Sequence, residues 1–242
     1  ETLETMQAAQ GDHDVVVLGF EAADPGRYGR LVLDAGGSLE RIVEWKDASE
    51  TERAITLCNS GVVCCATALL ETLLPEVGND NAAGEYYLTD IVGLARARGL
   101  SCGVVRCAEA ETLGVNSRAD LAFAEAAFQR RMREDALAGG VTLTAPESVH
   151  FAWDTVLGRD VVVEPNVVFG PGVTVETGAR IRAFSHLEGC HVSAGAEIGP
   201  FARLRPGAEI AEDSKIGNFV EVKASEIGPG AKVNHLTYIG DA

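Results

Sequence analysis

The chain has 242 residues, room for about two domains, and its 46% apolar and 23% charged residues are ordinary for a globular protein in water. A net charge of -16 and a pI of about 4.7 create a field that repels nucleic acid and anionic lipid, so neither is expected as a partner; an anionic substrate would need basic residues gathered locally. No secretory leader and no membrane-length apolar run is visible, which predicts a cytoplasmic protein with no membrane insertion.

In chain order, "DVVVLGF" (14–20) reads as a short strand and "LERIVEWK" (39–46) alternates as a half-buried strand does. "NSGVVCC" (59–65) predicts another strand and "ATALLETLL" (66–74) a helix. "LTDIVGLARARG" (88–99) predicts a helix with basic residues near its end and Gly99 just past it, and "SCGVVRC" (101–107) a further strand. The alternation is an α/β pattern. Six cysteines (Cys58, Cys64, Cys65, Cys102, Cys107 and Cys190) include no CxxC pair and sit mostly in apolar runs, so they are expected to be buried, reduced thiols. Ser117 and Asp120 then have capping-box spacing ahead of an alanine-, leucine- and arginine-rich run closed by Gly139-Gly140, which predicts one long helix over 118–138, an arm between two domains.

A repeat fills the remainder. Leu157, Val163, Phe169, Val175, Ile181 and Leu187 are six residues apart. After one five-residue step the series runs Val192, Ile198, Leu204, Ile210, Ile216 and Val222, and after another it runs Ile227, Val233 and Ile239. A strict period of six predicts a three-sided β-solenoid in which each hexapeptide makes one side and turns a corner, with the large apolar residues stacked as the core. The chain starts at Glu1 rather than a methionine and stops partway through a repeat, so both ends are expected to be cut.

Two groups of polar residues stand out in the repeat. Arg205 and Lys223 each follow a core position and lie eighteen residues apart, one full coil. Coils separated by about 4.8 Å would hold the two cations close, an arrangement suited to a phosphate between them. The alternative is two solvated charges partnered by Glu221 or Glu209. His235, in "KVNHLTYIG" with Asn234 and Tyr238, is a candidate general base or a plain surface histidine. His186 and His191 lie too many coils from His235 to share a zinc ion with it.

The motifs "GPFARLRPGAEI" and "IGNFVEVKASEIGPGAKVNHLTYIGDA", with "DPGRYGRLV", "IVEWKDA", "CNSGV", "GEYYLTDI" and "GVNSRADL" in the first half, resemble the bacterial bifunctional UDP-N-acetylglucosamine pyrophosphorylase / glucosamine-1-phosphate N-acetyltransferases over nearly the whole chain. The resemblance implies a partial α/β Rossmann-like uridylyltransferase domain over 1–117, a helical linker arm over 118–150 and a partial left-handed parallel β-helix of hexapeptide repeats, the acetyltransferase domain, over 151–242. It implies acetyl transfer from acetyl-CoA to glucosamine 1-phosphate, then coupling of N-acetylglucosamine 1-phosphate to UTP with Mg2+, in a homotrimer serving peptidoglycan and lipopolysaccharide synthesis.

By the same resemblance Gly29, Glu44, Asn59 and Asn116 match sugar-nucleotide positions, Tyr87 and Thr89 line the same pocket, and Asn116 matches a magnesium ligand. Arg205, Lys223 and Tyr238 match sugar-phosphate positions and His235 the catalytic base. Trp45 departs from the family, where histidine is commoner. A glycine-rich phosphate-binding run and a second magnesium ligand would lie before Glu1, and further coils after Ala242, so neither activity is expected to be complete in these 242 residues. The competing readings are a sugar nucleotidyltransferase whose β-helix is only a scaffold for oligomers and, more distantly, a zinc-dependent solenoid enzyme.

Overall fold

The structure, a computed structural model, describes residues 1–241 and divides into two compact units, Glu1–Val115 and the chain from Asn116 onward. In the first, helix α1 (Thr2–Ala9) seats Met6 against Val16 and Leu18 of strand β1 (Val15–Glu21), and six of the seven residues of this strand are buried. Strands β2 (Arg30–Leu33) and β3 (Leu39–Val43) form a hairpin. The turn is set by Asp34, whose Oδ1 accepts from the backbone N–H of Gly36 at 2.9 Å and of Ser38 at 3.0 Å. Helix α2 (Glu50–Arg53), strand β4 (Leu57–Cys65), helices α3 (Thr67–Leu73) and α4 (Asp90–Ala97), and strand β5 (Cys102–Cys107) follow.

The sheet order is β3-β2-β4-β1-β5. The β1–β5 pair is parallel and the other pairs are antiparallel; β4 runs against β1, and the α3–α4 segment turns the chain back so that β5 runs along β1. The α/β reading of this half therefore holds only in part: helices and strands alternate, but parallel pairing is confined to one edge. Strand β2 and helix α1 went unread in the sequence, the one because it is four residues long, the other because it buries a single side chain. The strand read over 39–46 stops at Val43, which frees Glu44 and Trp45 from the ladder.

The second unit opens with helix α5 (Arg118–Ala138). Ser117 Oγ accepts from the Asp120 N–H at 3.1 Å and Asp120 Oδ2 accepts from the Ser117 N–H at 2.8 Å, the reciprocal cap that the spacing predicts. The helix is held to the start of the solenoid by buried Gln129, whose amide donates to the Phe151 carbonyl at 2.7 Å and accepts from the Phe151 N–H at 2.9 Å. One turn on, Arg133 Nε donates to the Val149 carbonyl at 3.1 Å.

From Thr142 the chain winds into three parallel sheets among the described residues. The first face stacks Val156–Leu157, Thr174–Val175, His191–Val192, Ala208–Ile210 and Ser225–Ile227. The second stacks Thr142–Leu143, Val162–Val163, Arg180–Ile181, Glu197–Ile198, Lys215–Asn218 and Lys232–His235. The third stacks Val168–Phe169, His186–Leu187, Arg203–Leu204, Glu221–Lys223 and Tyr238–Gly240. The apolar series from Val163 to Ile227 is buried, and Leu157, Val233 and Ile239 are partly so. A second inward position precedes each by two residues (Val161, Val167, Val173, Ala179, Ala196, Ala202, Ala208), filled by small side chains because the corner is narrow there.

At the corner between the second and third faces Phe184, Phe201 and Phe219 take left-handed backbone conformations, with φ of 59°, 56° and 56°. Their rings stack outside the core, with centroids 4.9 and 5.1 Å apart, and Leu236 continues the column. All six cysteines are free thiols. Cys58, Cys102 and Cys190 are buried, and burial pushes the thiol of Cys102 up to about 11 and that of Cys190 up to about 12.

Candidate functional site

Two clusters gather the residues singled out in the sequence. In the first unit, Gly29, Glu44 and Asn59 lie just past the row in which Arg30 pairs with Val43 on one side and Cys58 on the other. The Asn59 N–H donates to the Gly29 carbonyl at 2.8 Å. A Cβ on Gly29 would stand 3.3 Å from Glu44 Oε1, so the missing side chain is what lets that carboxylate lie across the strand end. Thr89, the N-cap residue of α4, donates its hydroxyl to the same Glu44 oxygen at 3.1 Å.

Tyr87 is half-buried two residues earlier. Its phenol is held above the usual range, first by desolvation and then by the charges of Asp47, Glu85, Glu44 and Asp90. Asp47 fixes the loop before Tyr87, its Oδ1 accepting from the Ala82 N–H at 2.8 Å. The cluster therefore offers a carboxylate, two hydroxyls and an amide, the donor and acceptor set that a sugar's hydroxyls require.

Asn116 lies at the start of the second unit, exposed, with its backbone N–H donating to Asp120 Oδ2 at 3.0 Å. Its amide oxygen is a hard donor of the kind magnesium takes, but one such oxygen cannot hold the ion by itself. Among the described residues no group of three His, Cys, Asp or Glu side chains is arranged to bind a metal.

In the solenoid, the third face carries Arg205 and Lys223 in one outward column. Leu204 pairs with Val222, the Arg205 N–H donates to the Val222 carbonyl at 2.9 Å, and Lys223 pairs in turn with Gly240. The ring of Tyr238 folds over Gly240, so that a Cβ there would meet the phenol. Tyr238, Lys223 and Arg205 are thus neighbours on one surface.

Each cation has an acidic partner. Arg205 contacts Glu221 at 3.0 Å, one of the two partners the solvated-charge reading named, and Lys223 contacts Asp241 at 3.2 Å. Asp241 went unread, although it follows Lys223 by the same eighteen residues that separate Arg205 from Lys223. Glu209 pairs elsewhere, with His191, which it shares with Glu176.

His235 is exposed at the end of the second face, paired with Asn218, while Tyr238 begins the third face beyond the corner at Leu236. The imidazole is on the surface and not among the core aliphatics. His186 sits on the third face and His191 on the first, away from the strand that carries His235.

Residues 154–189 match the family described as "Bacterial transferase hexapeptide (six repeats)". Repeat and topology together define the second unit as a left-handed parallel β-helix of hexapeptide repeats. Over all 242 residues the chain is 64% identical to the bifunctional protein GlmU of Jannaschia sp. (strain CCS1), 67% to that of Roseobacter denitrificans and 71% to that of Cereibacter sphaeroides (strain ATCC 17025), covering 53%, 54% and 53% of those proteins. Along its whole length the chain is similar to part of these bifunctional GlmU proteins. It spans about half the length of the curated relatives it matches. Among the described residues no helix is long and apolar enough to cross a membrane.

Proposed function

We propose that this chain is part of a bifunctional enzyme that makes UDP-N-acetylglucosamine, by acetyl transfer from acetyl-CoA to glucosamine 1-phosphate and uridylyl transfer from UTP to N-acetylglucosamine 1-phosphate. In this reading 1–117 belongs to a Rossmann-like uridylyltransferase domain, 118–150 to a linker arm and 151–242 to the acetyltransferase β-helix. The assembly is a cytoplasmic homotrimer, and its product feeds cell-wall synthesis. Gly29, Glu44, Asn59, Tyr87 and Thr89 recognise the sugar nucleotide. Asn116 supplies one oxygen to a magnesium ion, which when bound neutralises phosphate charge.

The reading is supported by the outward column of Arg205 and Lys223 on the third face, with Tyr238 on the same face and an exposed His235 at the end of the second. Arg205 and Lys223 hold the sugar phosphate, exchanging their contacts with Glu221 and Asp241 for it. His235 takes a proton from the glucosamine nitrogen, because only the neutral amine has a lone pair to give. That nitrogen bonds to the thioester carbonyl carbon, the carbon–sulfur bond breaks, and the surplus proton left on the nitrogen passes to the departing sulfur, so that coenzyme A leaves as the thiol. No acyl-enzyme is required.

A second reading, a nucleotidyltransferase with a scaffold β-helix, is favoured by the carboxylate partner that each cation already has. One experiment separates the two. His235→Ala in the full-length protein abolishes acetyl transfer and leaves uridylyl transfer intact if the proposal holds; retained acetyl transfer overturns it.

A further inference from the structure

Arg30 is the largest fully buried side chain in the molecule, 1% exposed, and among the described residues it has no salt bridge to a carboxylate. A buried cation is costly unless its donors are satisfied. Here backbone carbonyls satisfy the two terminal nitrogens: Nη1 donates to Pro25 at 3.2 Å and to Tyr28, and Nη2 to Gly26 at 3.1 Å and to Arg53 at 3.5 Å, while among the described residues the buried Nε has no hydrogen-bond partner. Three of these carbonyls belong to the loop that ends at Gly29. The fourth is the last residue of α2.

The guanidinium also lies 5.4 Å from the centre of the Trp45 ring, which is covered by Arg53 at 4.4 Å; Arg53 in turn donates to the Trp45 carbonyl at 3.2 Å. Successive residues of an extended strand point to opposite faces. Arg30 therefore sits on the reverse side of the row formed by Gly29, Glu44 and Asn59. It ties down the residues on either side of that row: the loop before Gly29, and Trp45 immediately after Glu44.

We infer that Arg30 is a positioning residue for the sugar-recognition row, fixing the Gly29 backbone and the Glu44 carboxylate from beneath without touching the ligand. This rests on the assignment of that row to the sugar nucleotide. A rigid fork that satisfies four carbonyls suits the task, whereas a lysine would reach fewer of them.

The test compares Arg30→Met, Arg30→Lys and Glu44→Ala in the full-length protein, with binding of UDP-N-acetylglucosamine and of UTP measured by calorimetry. Misplacing a recognition group weakens only the ligand that uses it, so Arg30→Met is expected to lose about tenfold in affinity for UDP-N-acetylglucosamine and less than about twofold for UTP, with Arg30→Lys intermediate. Equal losses for both ligands, or unchanged sugar-nucleotide affinity in a folded Arg30→Met protein, overturn the inference. If Arg30→Met does not fold, Arg30→Lys decides by the same criterion: a loss confined to the sugar nucleotide supports the role, and unchanged affinity overturns it. Unchanged affinity in Glu44→Ala would instead overturn the assignment of the row itself.

Discussion

Lys223 and Asp241 stand one coil apart and meet at 3.2 Å, while Arg205, in the same column as Lys223, meets Glu221 at 3.0 Å. All four side chains are at least a third exposed, so these pairs contribute little to stability: measured exposed pairs give roughly 0.2–1 kcal/mol. A column whose charges matter so little to folding is free to exchange its carboxylates for a substrate phosphate. Arg205→Ala in the full-length protein should therefore raise the KM for glucosamine 1-phosphate by about tenfold or more, since a bidentate charge-assisted contact is lost, while stability falls by less than about 1 kcal/mol. Steady-state acetyl transfer and denaturant unfolding check the two halves; a stability loss with no change in KM would support the scaffold reading.

Gly217 offers a separate handle on the same coil. A Cβ there would run into the carbonyl of Asn234, the residue before His235, and backbone cannot swing aside as a flexible side chain does. Gly217→Ala should cost about 1–3 kcal/mol of stability through overpacking and should also depress acetyl transfer, because the displaced segment carries His235. Thermal unfolding together with turnover reads both effects.

Gln129→Leu should destabilise the second unit by about 2–4 kcal/mol, because it strands the buried N–H and carbonyl of Phe151. Urea titration of the variant gives the value. A loss confined to the first unit would contradict the assignment of the helix to the solenoid.

Thiol accessibility follows from burial. Cys190 and Cys102, with pKa values pushed up to about 12 and about 11, should resist alkylation at pH 8 in the native protein and react fully once it is unfolded. Mass spectrometry of peptides from pulse-labelled protein distinguishes the two states.

Acid dependence is clearest at Glu52. Hydrogen bonds from the Ser49 hydroxyl, then from the Ser49 backbone and from Arg41, hold its carboxyl at about 2 against an ordinary value of 4.5. A folded-state pKa below the unfolded value means that this stabilisation is complete above about 4.5 and disappears as pH falls towards about 2. Ser49→Ala removes the largest cause and should return the carboxyl towards 4.5, which a carbon-detected NMR titration of Glu52 would register.

The solenoid was legible because its period is strict. One large apolar residue in six has no other economical explanation, and the same arithmetic places Arg205 and Lys223 in one column. The first unit was less so. The run at 14–20 is buried on both sides and shows no alternation, and β2 contributes four residues whose first, Arg30, is a charge where a core position was due. Carboxylate partners were hardest to read, since which acid reaches which base depends on side-chain reach across a coil: Glu221 was foreseen as a candidate and Asp241 was not. Glu44 and Thr89 illustrate the remaining limit. They are forty-five residues apart, and only the folded sheet and helix bring them to 3.1 Å.

The two five-residue steps, Leu187 to Val192 and Val222 to Ile227, both fall at the corner between the third and first faces, where Gly189 and Ala224 adopt left-handed backbones. Strand pairing resumes unchanged on the far side of each, His191 with Glu209 and Ser225 with Ala208. That edge of the prism thus accommodates gain or loss of single residues. An equivalent change inside a strand would reverse inside and outside for the rest of its side, so genetic drift in length has one permissive seam, and Lys223 sits directly beside it.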